Sequence, residues 1–202
     1  MSVTLHKNDL PDDVDLGNVV AIDTETMGLN PHRDRLCLVQ LSSGDGNAHL
    51  VQMCDPKFNA PNLKKLVSDP KVQKLFHFAR FDVGILKCSL GVDCPNIYCT
   101  KIASKLVRTY TDRHGLRHLC RDLIGVEISK QYQSSDWGAV DLDVEQLNYA
   151  ASDVYYLHQL KARLDMMLER ENRTDLAQRC FDFMQTRVEL DLTGWYYDIF
   201  EH

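Results

Sequence analysis

Short apolar runs with strand character alternate along this chain with stripes at helical spacing. Val19-Val20-Ala21-Ile22 is continuous and mostly β-branched, which predicts a buried strand, and Gly28 ends it. Gly28 to Asp34 is turn chemistry, carried by Gly28, Asn30 and Pro31. Residues 35–42 predict a second strand, 43–47 a hairpin loop and 48–52 a third strand, so the three form an antiparallel meander. Leu63, Leu66 and Val67 then recur at helical spacing until Asp69-Pro70 stops them. Residues 72–76 give a fourth strand, followed from Phe81 by a helix with Val83, Ile85, Leu86 and Leu90 inward and Gly91 as its cap. Residues 97–99 give a fifth strand, and two helices follow, one through Ile102, Leu106 and Val107, the other through Leu116, Leu119, Leu123 and Ile124. A polar loop, 128–137, ends in Trp137, which is expected to anchor it in the core. From Asp141 one long helix is predicted, with Leu147, Ala150, Ala151, Val154, Leu157, Leu160 and Leu164 on its apolar face. The flanks differ from this core: residues 1–18 read as a polar lead-in and 169–202 as one helix with an aromatic tail.

Certain polar residues interrupt this pattern where chemistry is conceivable. Asp23 and Glu25 leave the first strand on one face, with Thr24 between them pointing to the other. Two carboxylates so placed repel unless a cation lies between them, and hard oxygen ligands suit Mg²⁺ or Mn²⁺. Taken alone, the pair reads as a strand end with two solvated acids. Asp82 follows at a strand-to-helix junction, where a carboxylate also serves simply to meet the helix dipole. Tyr149 and Asp153 share one face of the long helix at i, i+4. His114 and His118 have the same spacing, but no adjacent acid stands in the right place to complete a metal site, so they read as surface or packing histidines.

Composition narrows the setting. With 44% hydrophobic and 26% charged residues the chain has the make-up of an ordinary globular domain, long enough at 202 residues for one core. It lacks the ~18 consecutive apolar residues of a membrane span and an apolar stretch suited to export, so a cytoplasmic location is expected. The seven cysteines match no zinc spacing and read as reduced packing residues. A net charge of −6 argues against wrapping long duplexes, while leaving room for a short nucleic acid held through bound cations.

Taken together, Asp23-Thr24-Glu25, Asp82 and Tyr149-Ala150-Ala151-Ser152-Asp153 resemble the three motifs of the DEDD 3′-5′ exonuclease superfamily, tyrosine subclass, to which ribonuclease D belongs. The segment Gln133-Ser134-Ser135-Asp136-Trp137 is similar to the one that precedes the last motif in ribonuclease D relatives. The resemblance runs from Val19 to about Leu168. It implies an α/β, ribonuclease H-like exonuclease fold with a mixed five-stranded sheet flanked by helices, as one domain over residues 1–202. Ribonuclease D relatives carry helical nucleic-acid-binding domains after the catalytic one; residues 169–202 do not match those. In length, and in Thr111-Asp112-Arg113-His114-Gly115-Leu116, the chain is more similar to the nanoRNase C branch, which degrades very short RNA.

What the resemblance implies is a 3′-5′ exoribonuclease that releases 5′-mononucleotides from very short RNA, dinucleotides above all. General 3′ trimming of longer RNA or DNA and a non-catalytic nucleic-acid-binding module remain the alternatives. Asp23, Glu25, Asp82 and Asp153 would hold two divalent cations, Mg²⁺ or Mn²⁺, and Tyr149 would orient the attacking water. Thr24 and Glu25 are candidates for the 3′-hydroxyl, and Leu29 for a wedge between two bases. His77, Lys101, Arg108, Arg113, His114, Ser134 and Ser135 are candidates for the rest of the substrate, its 5′-phosphate in particular. The aromatic tail is expected to form a homo-oligomer interface, and the nanoRNase C resemblance implies an octamer.

Overall fold

The computed structural model describes residues 1–129, 131, 132 and 134–201. Gln133 of the motif before Trp137 therefore lies outside the described residues. Among the described residues, six strands form one mixed sheet: β1 (Ser2–Lys7), β2 (Val19–Thr26), β3 (Leu36–Ser42), β4 (Asn47–Gln52), β5 (Gln73–Phe76) and β6 (Ile97–Cys99), in spatial order β1-β4-β3-β2-β5-β6. As expected, β2, β3 and β4 are antiparallel neighbours. Of the fourth and fifth predicted strands, β5 pairs in parallel with β2 and β6 in parallel with β5.

The sixth strand corrects the reading of residues 1–18 as a lead-in. β1 pairs in parallel with β4 from Ser2↔Asn47 to Lys7↔Gln52, and the chain after it buries Leu10 and Leu16. An edge strand is covered on one side only, so Val3 and Leu5 suffice to seat it while Ser2, Thr4 and His6 keep its composition polar.

Helices α1 (Pro61–Ser68), α2 (Ala79–Leu90), α3 (Thr100–Val107), α4 (Leu116–Leu119), α5 (Val144–Tyr155), α6 (Leu157–Arg170), α7 (Thr174–Asp182) and α8 (Met184–Leu192) cover the sheet, with a π-type turn at Cys120–Ile124 after α4. Strand β3 is buried from end to end, the mark of a strand covered on both faces. The long helix predicted from Asp141 is two helices. It starts one turn's reach later, at an Asp143–Gln146 capping box, and breaks at Tyr156, whose backbone leaves helical geometry (φ −106°, ψ −3°). The break turns α6 back across α3 and β5 while α5 lies along β2, β3 and β4. The C-terminal segment likewise contains two helices, α7 and α8, before its aromatic tail.

α8 is tied to α2 by ion pairs as well as by packing. Arg80 and Asp191 pair at 2.5 Å, Lys87 and Glu189 at 2.9 Å, and Val188 is fully buried beneath them.

Candidate active site

The site forms where β2 runs out. The pairing of β2 with β3 shifts register between Glu25 and Thr26, a bulge that ends regular pairing beside the two acids. Asp23 and Glu25 project toward α5, which brings Tyr149 and Asp153 on successive turns of one face. Among the described residues, Asp23, Glu25 and Asp153 each place a carboxylate oxygen within 4.8 Å of the other two. Thr24 points the opposite way and donates its hydroxyl to Asp82 Oδ1 on α2 at 2.7 Å. Asp82 is thus buried and held by Thr24, adjacent to the cluster of three without joining it. Thr24 spends its one donor on this contact, so only its backbone and a hydroxyl lone pair are left for the 3′-hydroxyl role expected of it.

Burial and mutual repulsion hold protons on these acids. Burial, then the charges of Asp82, Asp153 and Glu25, pushes Asp23 well above the usual carboxylate range. Glu25 rises to about 9, through burial first and then Asp153 and Asp82. Burial raises Asp82 to about 7 even though the Thr24 hydroxyl and two backbone N–H groups pull it down. Four carboxylates that cannot all ionise on their own are the donor set that a hard divalent cation fits. The Tyr149 phenol is pushed up by burial and by Asp153, Glu25 and Asp23, so it stays an O–H donor.

Neighbouring residues fix these groups in place. Gln40 stands opposite Asp23 on β3 and donates Nε2 to Asp23 Oδ2 at 3.3 Å. It is a positioning residue that the sequence reading passed over, although a lone amide in an apolar strand was the available signal. Trp137 is buried as expected and packs on Tyr149, ring centroids 6.1 Å apart. The α5 capping box extends to this loop, because Gln146 Nε2 donates to Asp136 O at 3.4 Å. Gly138 lies against Met27, just past β2, where a Cβ would come 2.3 Å from Met27 Sδ unless that side chain moved.

Two cavities meet on Asp23, Tyr149 and Asp153. The larger, about 440 Å³, adds Glu25, Leu29, Phe81, Ser134 and Ser135; the smaller, about 260 Å³, adds His77, Phe78, Lys101, Leu116 and Arg117. Leu29 is 83% exposed on the wall of the first, so it is not a core residue. The candidates for the 5′-phosphate divide between the cavities, with Ser134 and Ser135 on the Glu25 side and Lys101 on the other.

Arg108, Arg113 and His114 line neither cavity. Arg108 is only 2% exposed and donates to Asp122 Oδ2 at 2.6 Å and Arg113 O at 2.9 Å. It braces the 108–115 loop against Asp122. Arg113 is exposed, and His114 is held by Ser104 Oγ at 2.8 Å. Arg117, which the sequence reading missed, takes the place beside Lys101.

His77 has a defined tautomer. Thr100 donates its hydroxyl to Phe76 O, so its oxygen accepts from His77 Nδ1–H at 2.9 Å and Nε2 is left as an acceptor. Burial, with Lys101 nearby, holds the ring neutral by lowering its pKa to about 3. The next residue, Phe78, caps α2 in a left-handed conformation (φ 74°, ψ 46°), which costs an L-residue about 1–2 kcal/mol.

Residues 8–169 match the 3′-5′ exonuclease family. Ribonuclease D of Gluconacetobacter diazotrophicus is 36% identical over 156 residues, covering 77% of this chain and 39% of that protein. The chain thus spans well under half the length of such curated relatives. Brucella melitensis NrnC with bound Mg²⁺ is 55% identical with a TM-score of 0.96, each chain covered in full. NrnC has also been solved bound to pGG, and there the match is 55% identical at a TM-score of 0.95, over 100% of this chain and 99% of that one. On these matches the chain belongs to the 3′-5′ exonuclease family, in the ribonuclease D-like group that contains NrnC.

Proposed function

We propose that this protein is a metal-dependent 3′-5′ exoribonuclease that hydrolyses very short RNA, dinucleotides in particular, to 5′-mononucleotides. The observation that carries this reading is the pair of cavities sharing Asp23, Tyr149 and Asp153, with room for one nucleoside on each side of a phosphate held at the acids. The likeness to NrnC, solved with Mg²⁺ and with pGG, supports it.

Asp23, Glu25 and Asp153, with Asp82 beside them, would hold two divalent cations, Mg²⁺ or Mn²⁺. When bound, such ions supply a more acidic attacking water and charge compensation for the departing 3′-oxygen. Tyr149 orients the water through its hydroxyl; a phenol that keeps its proton positions rather than deprotonates. Glu25 and the Thr24 backbone meet the terminal 3′-hydroxyl in the larger cavity, where Ser134 and Ser135 complete the wall. Lys101 and Arg117 meet the 5′-phosphate in the smaller one, since charge-assisted contacts are the strongest a small ligand can make. Gln40 keeps Asp23 aimed at the cations.

The test is length dependence. With 5′-phosphorylated RNAs from two to about twenty nucleotides at equal concentration in Mg²⁺, the dinucleotide is turned over fastest, and its 5′-hydroxyl form binds more weakly. Affinity that rises with chain length overturns this reading in favour of general 3′ trimming; no nucleotide release at any length leaves a non-catalytic binding module.

Leu29 serves as a wedge between the two bases. Base contacts by aromatic side chains are worth about 1–3 kcal/mol and those of an aliphatic group less. Leu29→Ala therefore weakens dinucleotide binding several-fold in calorimetry and leaves Tm unchanged, as its exposure requires. A large drop in Tm at unchanged affinity would contradict the wedge.

The chain associates with copies of itself through its C-terminal face, as an octamer. Supporting this, Leu176, Phe183, Trp195, Tyr196, Tyr197, Ile199 and Phe200 all remain exposed on one stretch of chain, and aromatic residues are enriched at interface cores. Removing residues 192–202 yields smaller species by light scattering; a full-length protein that is monomeric at micromolar concentration refutes it.

A further inference from the structure

Phe78 occupies a conformation that its residue type does not favour. Among the described non-glycine residues with positive φ, three are asparagines, which tolerate that geometry, and Phe58 packs against the core. Phe78 instead leaves its ring 45% exposed, on the wall of the cavity that contains His77, Asp23, Tyr149 and Asp153. Asparagine or glycine would cap α2 there without strain, so packing and backbone preference do not account for an aromatic residue. Against the ring, Lys101 Nζ lies 4.0 Å from its centroid. Beside it stands the acceptor Nε2 of His77, fixed by Thr100.

We infer that Phe78 is the stacking platform for the nucleobase of the 5′ nucleoside, with His77 Nε2 accepting a hydrogen bond from a donor on that same nucleoside. This rests on the exonuclease reading above and assigns to the smaller cavity a nucleoside, in addition to the phosphate contact of Lys101. A ring held by its backbone and by an ammonium on one face is pre-organised, so stacking costs it little side-chain freedom. Every base has a π-face, so the contact tolerates sequence while demanding a base.

The test is a binding cycle with two probes, pGpG and the same dinucleotide lacking its 5′ base, titrated in Ca²⁺ against the wild-type protein, Phe78→Asn and Phe78→Trp. Loss of the 5′ base weakens binding to the wild type roughly tenfold or more but changes binding to Phe78→Asn little, because the partner ring is already gone. Phe78→Trp retains the affinity and the base dependence. Thermal melts of Phe78→Asn match or exceed the wild type, since the strained cap is relieved, so that weaker binding cannot be put down to unfolding. Equal losses on base removal in wild type and Phe78→Asn overturn the inference, as does a cycle that couples Phe78 to the 3′ base instead. A wild type that binds and cleaves pGpG without any such coupling leaves the exonuclease reading standing and removes only the platform; a wild type that does not bind pGpG removes both.

Discussion

Asp23→Asn and Asp153→Asn each abolish nucleotide release while the fold persists. Either substitution keeps the shape of the side chain and removes one of the charges that would face the cations, so the loss falls on the chemistry. Removal of a single stabilising group from an active site costs about 10²- to 10³-fold, and a cation ligand is expected to exceed that. Circular dichroism and melting of the variants remain native, and single-turnover assays in excess Mg²⁺ report the loss. Asp23 is the more telling position, because it lines both cavities, as Asp153 does, and is in addition held by Gln40 at 3.3 Å. Near-wild-type turnover by either variant would mean that the cluster is not the reaction centre.

In the absence of divalent cations, the protein loses stability as pH rises, and the cation restores it. The sign follows from the direction of the shifts: Asp23 is raised, Glu25 rises to about 9 and Asp82 to about 7 in the folded chain. An unfolded carboxyl ionises near pH 4. Between that pH and the folded values the folded state keeps protons that the unfolded state has released, so these groups favour folding most at low pH and lose that contribution as pH climbs through about 7 and then about 9. Cations displace the same protons, so the gain in Tm on adding Mg²⁺ grows with pH. In EDTA, Glu25→Gln is more stable than wild type at pH 8.5, by several degrees if the relief is worth 1–2 kcal/mol, as about 1 kcal/mol moves a protein of this size by roughly 2–4 °C. In Mg²⁺ the order reverses. A wild-type Tm in EDTA that rises steadily between pH 6 and pH 8.5, with Glu25→Gln following the same line, would show that the acids are not held in repulsion.

Much of this architecture is written locally. The β-branched run before Asp23, the alternation through residues 35–52 and the stops at Asp69-Pro70 and Gly91 each act within a few residues. Strand and helix periods therefore locate five of the six strands and the junction that carries Asp82. The acids were legible for the same reason, since a carboxylate at the end of an apolar strand contradicts its surroundings whatever the rest of the chain does. What the order of the motifs implied about fold and family agrees with the observed sheet and with the relatives.

Tertiary structure decided the remainder, wherever burial depends on what arrives from far along the chain. β1 is polar enough to pass for a lead-in, and only pairing with β4 makes it a strand. Arg108 has the composition of a phosphate ligand, yet Asp122 and the Arg113 carbonyl take it into the interior, whereas Arg117, the second residue of α4, reaches the cavity. Phe78 looks like any apolar residue before a helix until its backbone turns left-handed and leaves the ring beside the acids. Periodicity records which face of an element is apolar; it carries no information on which distant element covers that face. The sequence by itself therefore determined most of the elements and singled out the carboxylates that cluster at the end of β2, while the division of the site into two cavities, and the side chains that line them, came from the packing of helices whose contacts span more than a hundred residues.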